Sequence, residues 1–126
     1  MSKKIFENVF QINNPSEAVC KLVGVADPHW TLAIQVYQPT DNNLFLQFGH
    51  VAYFSGRTAW KGAEFRIAGR SEYHDFIKDF SEEMKKQLEN YYLFVASTSD
   101  GMEINIIAAH ANRSDDGELI PYNLTE

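Results

Sequence analysis

The sequence predicts an α+β domain in which a mainly antiparallel sheet of five to seven strands carries one long amphipathic helix on one face. Two observations predict this fold class. Apolar residues recur at helical spacing over residues 71–90, and the other apolar runs are short and separated by turn-forming residues, as in antiparallel strands. We expect the 126 residues to form one domain, 1–126, in which residues 112–126 are an irregular acidic tail.

Five apolar runs before the helix are predicted to be strands. They are rich in β-branched and aromatic residues and are separated by Pro, Gly, Asn and Asp, which favour turns. The runs cover residues 5–12, 19–25, 30–38, 44–54 and 63–68. Gly24 and Gly49 interrupt two of them and are expected to mark a bulge or a bend, and residues 55–62 are expected to form a loop.

The helix is predicted over residues 71–90. Its apolar residues fall within an arc of roughly 120° on a 3.6-residue wheel, whereas charged residues occupy the opposite side. The apolar set is Tyr73, Phe76, Ile77, Phe80, Met84, Leu88 and Tyr91. Ser71 is the expected N-cap, with Glu72 and Asp75 in the first turn, where negative charge suits the helix dipole. We expect the apolar stripe to pack on the sheet.

A β-hairpin is predicted after the helix. Residues 91–97 form an aromatic and apolar run without helical spacing, and residues 102–110 form a second apolar run. Asp100-Gly101 lies between them, and this dipeptide is a strong hairpin signal because both residue types tolerate positive φ angles. The two strands are expected to extend the antiparallel sheet.

Composition and charge argue against several classes of partner. The formal net charge is −6, which disfavours general binding to nucleic acid or to an anionic membrane surface. No run approaches the roughly 20 apolar residues of a membrane span, and no signal-peptide pattern follows Lys3 and Lys4, so we expect a cytoplasmic protein. The single cysteine, Cys20, is expected to be a small buried apolar residue.

The segment 55–70 is the strongest candidate for a ligand site. It carries four cations against one acid, a local charge of +3 in a chain of net charge −6; the cations are Arg57, Lys61, Arg66 and Arg70, and the acid is Glu64. Arginine can form paired hydrogen bonds to a carboxylate or phosphate, and Trp60 offers a stacking face, so a small anionic ligand is the expected occupant. The predicted ligand-binding residues are Arg57, Trp60, Lys61, His50 and Tyr53.

An alternative interpretation of the same segment is a solvated connection between strands. In that case Trp60 packs in the core, and the charges serve to prevent edge-to-edge pairing of strands. No metal or cofactor is predicted. The four histidines (His29, His50, His74 and His110) form no close-spaced ligand pair, and no phosphate-binding or nucleophile motif is present.

These observations favour a non-enzymatic binding or protein-interaction domain whose partner is a protein or a small anionic ligand. A homodimer is an expected assembly, because exposed strands permit self-association about a two-fold axis. The alternative is a small enzyme with a cleft between sheet and helix, in which His50 or His110 acts as acid or base and Arg57 anchors an anion. Binding of single-stranded nucleic acid by aromatic residues is a third reading, which the net charge disfavours.

Overall fold

The computed structural model describes residues 8–26, 31–39, 43–115 and 118–121, and this part of the chain contains ten strands and two short helices. The strands are β1 (Val19–Ala26), β2 (Thr31–Tyr37), β3 (Leu44–Gly49), β4 (Tyr53–Ser55), β5 (Ala59–Lys61), β6 (Phe65–Ile67), β7 (Tyr92–Ser97), β8 (Glu103–Ala108), β9 (His110–Asp115) and β10 (Glu118–Pro121), and the helices are α1 (Arg70–Phe76) and α2 (Glu82–Gln87).

The elements stack in three layers. A six-stranded sheet of order β10-β9-β3-β2-β1-β5 packs on a four-stranded sheet of order β4-β8-β7-β6, and the pairs within both sheets are antiparallel. The two helices and the turns around them form a helical layer on the other face of the four-stranded sheet. The four-stranded sheet is therefore covered on both faces, whereas the described elements cover the six-stranded sheet on one face only.

The chain passes between the two sheets at tight corners. β3 continues into β4 through residues 50–52, and β8 continues into β9 through Ala109. Backbone hydrogen bonds hold the two corners together: Ala109 N donates to Gly49 O at 3.0 Å, and Ala52 N donates to Ile107 O at 2.8 Å. A third crossing, from β5 to β6, runs through Gly62. These crossings fix how the two sheets face each other.

The space between the two sheets is filled by apolar side chains that alternate along each strand. Four phenylalanines lie at its centre, namely Phe10, Phe48, Phe65 and Phe94. The ring centroids of Phe48 and Phe94 are 5.1 Å apart and those of Phe10 and Phe48 are 5.6 Å apart, both edge to face. This is the arrangement that aromatic rings prefer in a packed core.

The N-terminal segment fills one end of this core without forming a strand. A strand was expected over residues 5–12; residues 5–7 lie outside the described residues, and residues 8–12 form a turn with φ angles of 46° at Asn8 and 54° at Gln11. The Asn8 side chain closes this turn by bonding both the N–H and the carbonyl of Ile12. An asparagine in this conformation offers the backbone an alternative to a strand ladder, so the strand prediction is wrong for residues 8–12.

The same segment also covers an edge of the four-stranded sheet. Val9 N donates to the carbonyl of Phe65 in β6 at 2.9 Å, and Ala63 N donates to Pro15 O at 2.8 Å. Arg113 in β9 donates to the carbonyl oxygens of Phe10 and Gln11, which ties the segment to the six-stranded sheet as well. Backbone groups at the β6 edge are thereby satisfied by the chain itself.

The prediction of one long helix over 71–90 is wrong, although its apolar stripe is correctly assigned. Helix α1 ends at Phe76, and a separate helix, α2, begins at Glu82. Helix α2 begins there because the Ser81 side chain accepts a hydrogen bond from Met84 N at 3.2 Å and so acts as a new N-cap. Helix α1 begins after Gly69 and not after the expected cap Ser71. The predicted stripe still faces the sheet: three of its residues are buried and four are half-buried, namely Tyr73, Ile77 and Leu88, and Phe76, Phe80, Met84 and Tyr91.

The strands are more numerous than the sequence predicts, and they form two sheets where one sheet of five to seven strands was expected. Residues 59–61 of the expected loop pair with β1, and residues 112–115 and 118–121, expected in an irregular tail, form most of β9 and all of β10. Residues 112–115 form a strand because of tertiary pairing, since β9 is hydrogen-bonded to β3 on one side and to β10 on the other. The bulge at Gly24, the bend at Gly49 and the turn at Asp100-Gly101 are confirmed.

We predict that Gly62→Ala lowers the free energy of unfolding by about 1–3 kcal/mol. Gly62 has a φ of 118°, and a Cβ there would lie 2.7 Å from the backbone oxygen of Ser97, so neither the new methyl group nor its neighbour can move cheaply. Gly24→Ala is the matched control, because no atom lies within 4 Å of a Cβ at that position. Urea unfolding of both variants checks the difference, and equal stabilities would contradict it.

We predict that Phe10→Ala costs about 3–5 kcal/mol, the usual range for a fully buried phenylalanine. Phe10 is 1% exposed and touches the other three phenylalanines of the core. Phe45→Ala, at a position 38% exposed, should cost less than about 1.5 kcal/mol because less apolar area is uncovered. Denaturant unfolding of the two variants would contradict the assignment of the N-terminal segment to the core if both lose the same stability.

Candidate functional site

The structure does not bring the predicted ligand-binding residues together. Trp60 is 5% exposed, its indole N–H donates to Gly62 O at 2.7 Å, and its ring packs against Phe65 in the core. Tyr53 belongs to the opposite face of the four-stranded sheet, where its ring packs against Phe76 at a centroid distance of 5.5 Å. The indole is therefore turned away from the surface on which a stacked ligand would lie.

Three of the four cations of segment 55–70 are each paired with an acid from a different part of the chain. Arg57 pairs with Asp100 at 2.6 Å, Lys61 with Glu17 at 3.3 Å, and Arg66 forms two parallel bonds of 2.8 Å to Glu72. Their acidic partners come from outside the segment, so the local charge of +3 in the sequence does not become one positive patch. The ligand-binding role of Arg57 and Lys61 stays a prediction.

The histidines His50 and His110 meet at the corner where the two sheets exchange strands. Their ring centroids are 5.5 Å apart, and the planes are nearly perpendicular at 78°. His50 has a φ of 53°, and the His110 ring lies directly on Gly49, where a Cβ would be 1.8 Å from Cε1. Glycine at position 49 is what allows this close approach.

The alternative hypothesis of an enzyme requires His50 or His110 to act together with Arg57. The strand register places Arg57 away from the two histidines. Tyr53, at the beginning of β4, pairs with Ile107, close to the histidine corner. Arg57 follows the far end of β4, where its guanidinium contacts Asp100 and the sulfur of Met102. At about 3.3 Å of strand per residue, the two groups lie at opposite ends of β4.

Two features of the described residues bear on metal and thiol chemistry. No group of three or more His, Cys, Asp or Glu side chains in this part of the chain is arranged to hold a metal ion. Cys20 is buried, as expected, and burial raises the pKa of its thiol to about 12, so it stays protonated at neutral pH. In the described part of the chain, no helix is long and apolar enough to cross a membrane, and the cytoplasmic location stays a prediction.

The turn of the β7–β8 hairpin carries a polar network that includes Arg57. The Thr98 hydroxyl donates to one oxygen of Asp100, Arg57 pairs with the other, and Met102 N donates back to the Thr98 hydroxyl at 3.0 Å. Hydrogen bonds from Thr98 and Arg57 lower the pKa of the Asp100 carboxyl below its ordinary value. The network closes the hairpin turn and occupies Arg57.

A different surface stands out on the solvent-facing side of the six-stranded sheet, which we call the open face. It is formed by alternate residues of β1, β2 and β3, chiefly Val19, Lys21, Val23, Ala33, Gln35, Tyr37, Phe45 and Gln47. Four of the five large apolar side chains that are exposed in the described residues lie here: Val19, Val23, Tyr37 and Phe45 are 38–44% exposed. Val19 lies directly opposite Tyr37, and Gln35 lies opposite Phe45.

The open face differs in charge from the helical layer. The open-face positions named above include no acid, and Lys21 lies toward the margin with β5, where Lys61 pairs with the exposed Glu17. The helical layer on the far side of the molecule carries six exposed acids, namely Glu72, Asp75, Asp79, Glu82, Glu83 and Glu89. The helical layer thus carries more acids than cations, whereas the open-face positions named above carry no acid.

The sequence contained a signal for the open face that the site prediction did not use. The outward positions of β2 and β3, at residues 31, 33, 35, 37, 45 and 47, are uncharged although 22% of the chain is charged. A solvent-facing side of an antiparallel sheet usually carries charged residues, so an uncharged set at alternate positions indicates a covered or binding surface.

No family model, curated protein or solved structure matches the chain. The surfaces described above are therefore the basis for a functional proposal.

We predict that Asp100→Asn lowers stability at neutral pH and removes part of its loss in acid. Because the folded pKa of Asp100 is below its unfolded value, its contribution is complete above about pH 4 and is lost as the pH falls through the folded pKa. The stability curves of the wild type and variant should therefore converge at low pH. The exposed Asp79→Asn serves as the control, and parallel curves for wild type and Asp100→Asn would contradict the prediction.

Proposed function

We propose that this protein is a non-enzymatic protein-interaction domain that pairs with a second copy of itself through the open face. The observation that supports the proposal is the grouping of exposed Val19, Tyr37 and Phe45 on a sheet face without described acids. Contiguous exposed apolar surface on a soluble domain is typical of a protein-binding site. Its aromatic members, Tyr37 and Phe45, are also residue types that interfaces favour.

The charges of the open face favour a second copy of the chain as the partner. A basic partner would require several acidic groups around the contact, whereas the named open-face positions carry none and Glu17 at their margin is paired with Lys61. A second copy presents the same uncharged surface, so the two faces meet without charge mismatch in a two-fold arrangement. Face-to-face pairing also places the two acidic helical layers at the far ends of the assembly, where their repulsion is smallest.

The size of the face sets the expected affinity. Six strands about 4.8 Å apart and about six residues long cover roughly 500–600 Å² in projection. A standard interface buries about 800 Å² on each partner, so this one lies at the lower end of specific contacts. We therefore expect a reversible dimer with a dissociation constant in the micromolar range, in which the polar side chains Gln35 and Gln47 bond across the interface.

The test is sedimentation equilibrium of the wild type and two glutamate variants. Phe45→Glu places a charge within the exposed apolar group of the open face and should yield a monomer, because each copy would bury an unpaired carboxylate. Met102→Glu introduces the same change at a residue 43% exposed on the β7–β8 hairpin, away from the open face, and should leave the dimer intact.

The outcomes of this experiment distinguish pairing through the open face from binding of a different protein and from contact through another surface. A wild-type dimer that is lost in Phe45→Glu and kept in Met102→Glu supports the proposal. A wild type that is monomeric at millimolar concentration contradicts the second copy, and the open face would then be a surface for a different protein. A dimer that survives Phe45→Glu would place the contact on another part of the molecule.

A further inference from the structure

We propose that a groove between α1 and α2 binds the phosphate monoester of a small apolar molecule. This site is separate from the open face and does not depend on the proposed function. The groove has a volume of about 390 Å³, within the usual range for small-molecule sites, and the cations Arg70, Lys78 and Lys85 line it.

The charge of the groove is opposite to that of the chain. Its lining contains three permanent cations and one acid, Glu89, which gives a formal charge of +2, and His74 adds a titratable group. The chain as a whole carries −6, and the surrounding helical layer has six acids against four cations, the fourth cation being Lys86. A dianion is the ligand that neutralises this lining, and a phosphate monoester at neutral pH carries close to that charge.

The guanidinium of Arg70 is held in place before a ligand arrives. It lies 5.2 Å from the centroid of the Tyr73 ring, and one of its nitrogens donates to the Glu89 carbonyl at 3.1 Å. A guanidinium carries five N–H donors, so these contacts leave further donors for an oxyanion. The planar fork suits two oxygens of one phosphate.

The lysines are engaged only by weak surface pairs. Lys78 lies 3.6 Å from Asp75 and Lys85 lies 3.3 Å from Glu82, each three residues away on the same segment. Exposed pairs of this kind contribute only about 0–1 kcal/mol, so a phosphate can replace or share them. The Lys85 side chain is 31% exposed, which means that its stem packs in the groove and orders its ammonium group.

The floor of the groove is apolar and fixed. Tyr73 and Ile77 are buried, and the Tyr73 hydroxyl donates to the Leu88 carbonyl at 2.6 Å, which fastens α1 to the end of α2. The aliphatic stems of Lys78 and Lys85 also line the groove, so apolar atoms lie beside the charged groups and suit a ligand with a charged head and an apolar body. For this reason we infer an organic phosphate in preference to free inorganic phosphate.

The experiment titrates phenyl phosphate into the full chain and follows heat by calorimetry and amide shifts by NMR. Lys85→Ala is compared with Lys86→Ala: the two residues are neighbours in α2 with the same charge and the same replacement, but only Lys85 lines the groove. Both substitutions favour the helix, so both variants should fold. Inorganic phosphate and phenol are titrated separately, so that the contributions of the phosphate group and of the apolar ring to the affinity can be compared.

Saturable binding of phenyl phosphate that weakens at least about fivefold in Lys85→Ala and is unchanged in Lys86→Ala supports the proposal. Amide shifts should then centre on residues 70–89, and inorganic phosphate should bind more weakly than phenyl phosphate. No saturable binding at millimolar concentration overturns the proposal, and so does an equal loss in both lysine variants, which would indicate only general attraction to positive charge. Monomeric behaviour of the wild type affects the proposed function alone.

Discussion

The packing of four phenylalanines between the two sheets is the contact on which the other features depend. Phe10 comes from the N-terminal segment, Phe48 from β3, Phe65 from β6 and Phe94 from β7, so one cluster joins both sheets and the chain terminus that closes them. Because β3 and β8 each continue into the other sheet, the corner at Gly49 and Ala109 must remain in register for these rings to meet. A strained corner with His50 at positive φ is tolerated since the core on either side determines it.

The parts of the fold that the sequence predicts well are those encoded by neighbouring residues. Gly24 marks a bulge, Gly49 a bend and Asp100-Gly101 a hairpin, and each depends on backbone conformations available to a few residue types. The helical break was also encoded locally, because Ser81-Glu82-Glu83 is a helix start, but the continuous apolar stripe concealed it. Assignment of strands to two sheets is different, since alternation shows that a strand has a buried face without showing which sheet it joins.

The candidate site illustrates the same limit. Segment 55–70 is basic in the sequence, yet the acids that neutralise it, such as Asp100 and Glu17, are separated from it by tens of residues. Trp60 is flanked by charged and small residues, which suggests exposure, but its pairing opposite Cys20 turns the indole into the core. Arg70 forms no salt bridge with a carboxylate in the described part of the chain, and it is the member of that segment that lines a concave cationic surface.

The three-layer arrangement keeps the two proposed binding surfaces apart. The four-stranded sheet is buried on both faces, so it separates the open face from the groove between α1 and α2 by two layer spacings, roughly 20 Å. Charges on the two surfaces are screened from each other over that distance in physiological salt. Packed layers of this kind transmit a change only if they have two arrangements, and the close edge-to-face packing of Phe48 on Phe94 holds the two sheets in one arrangement. Pairing through the open face and anion binding in the groove should therefore be energetically independent.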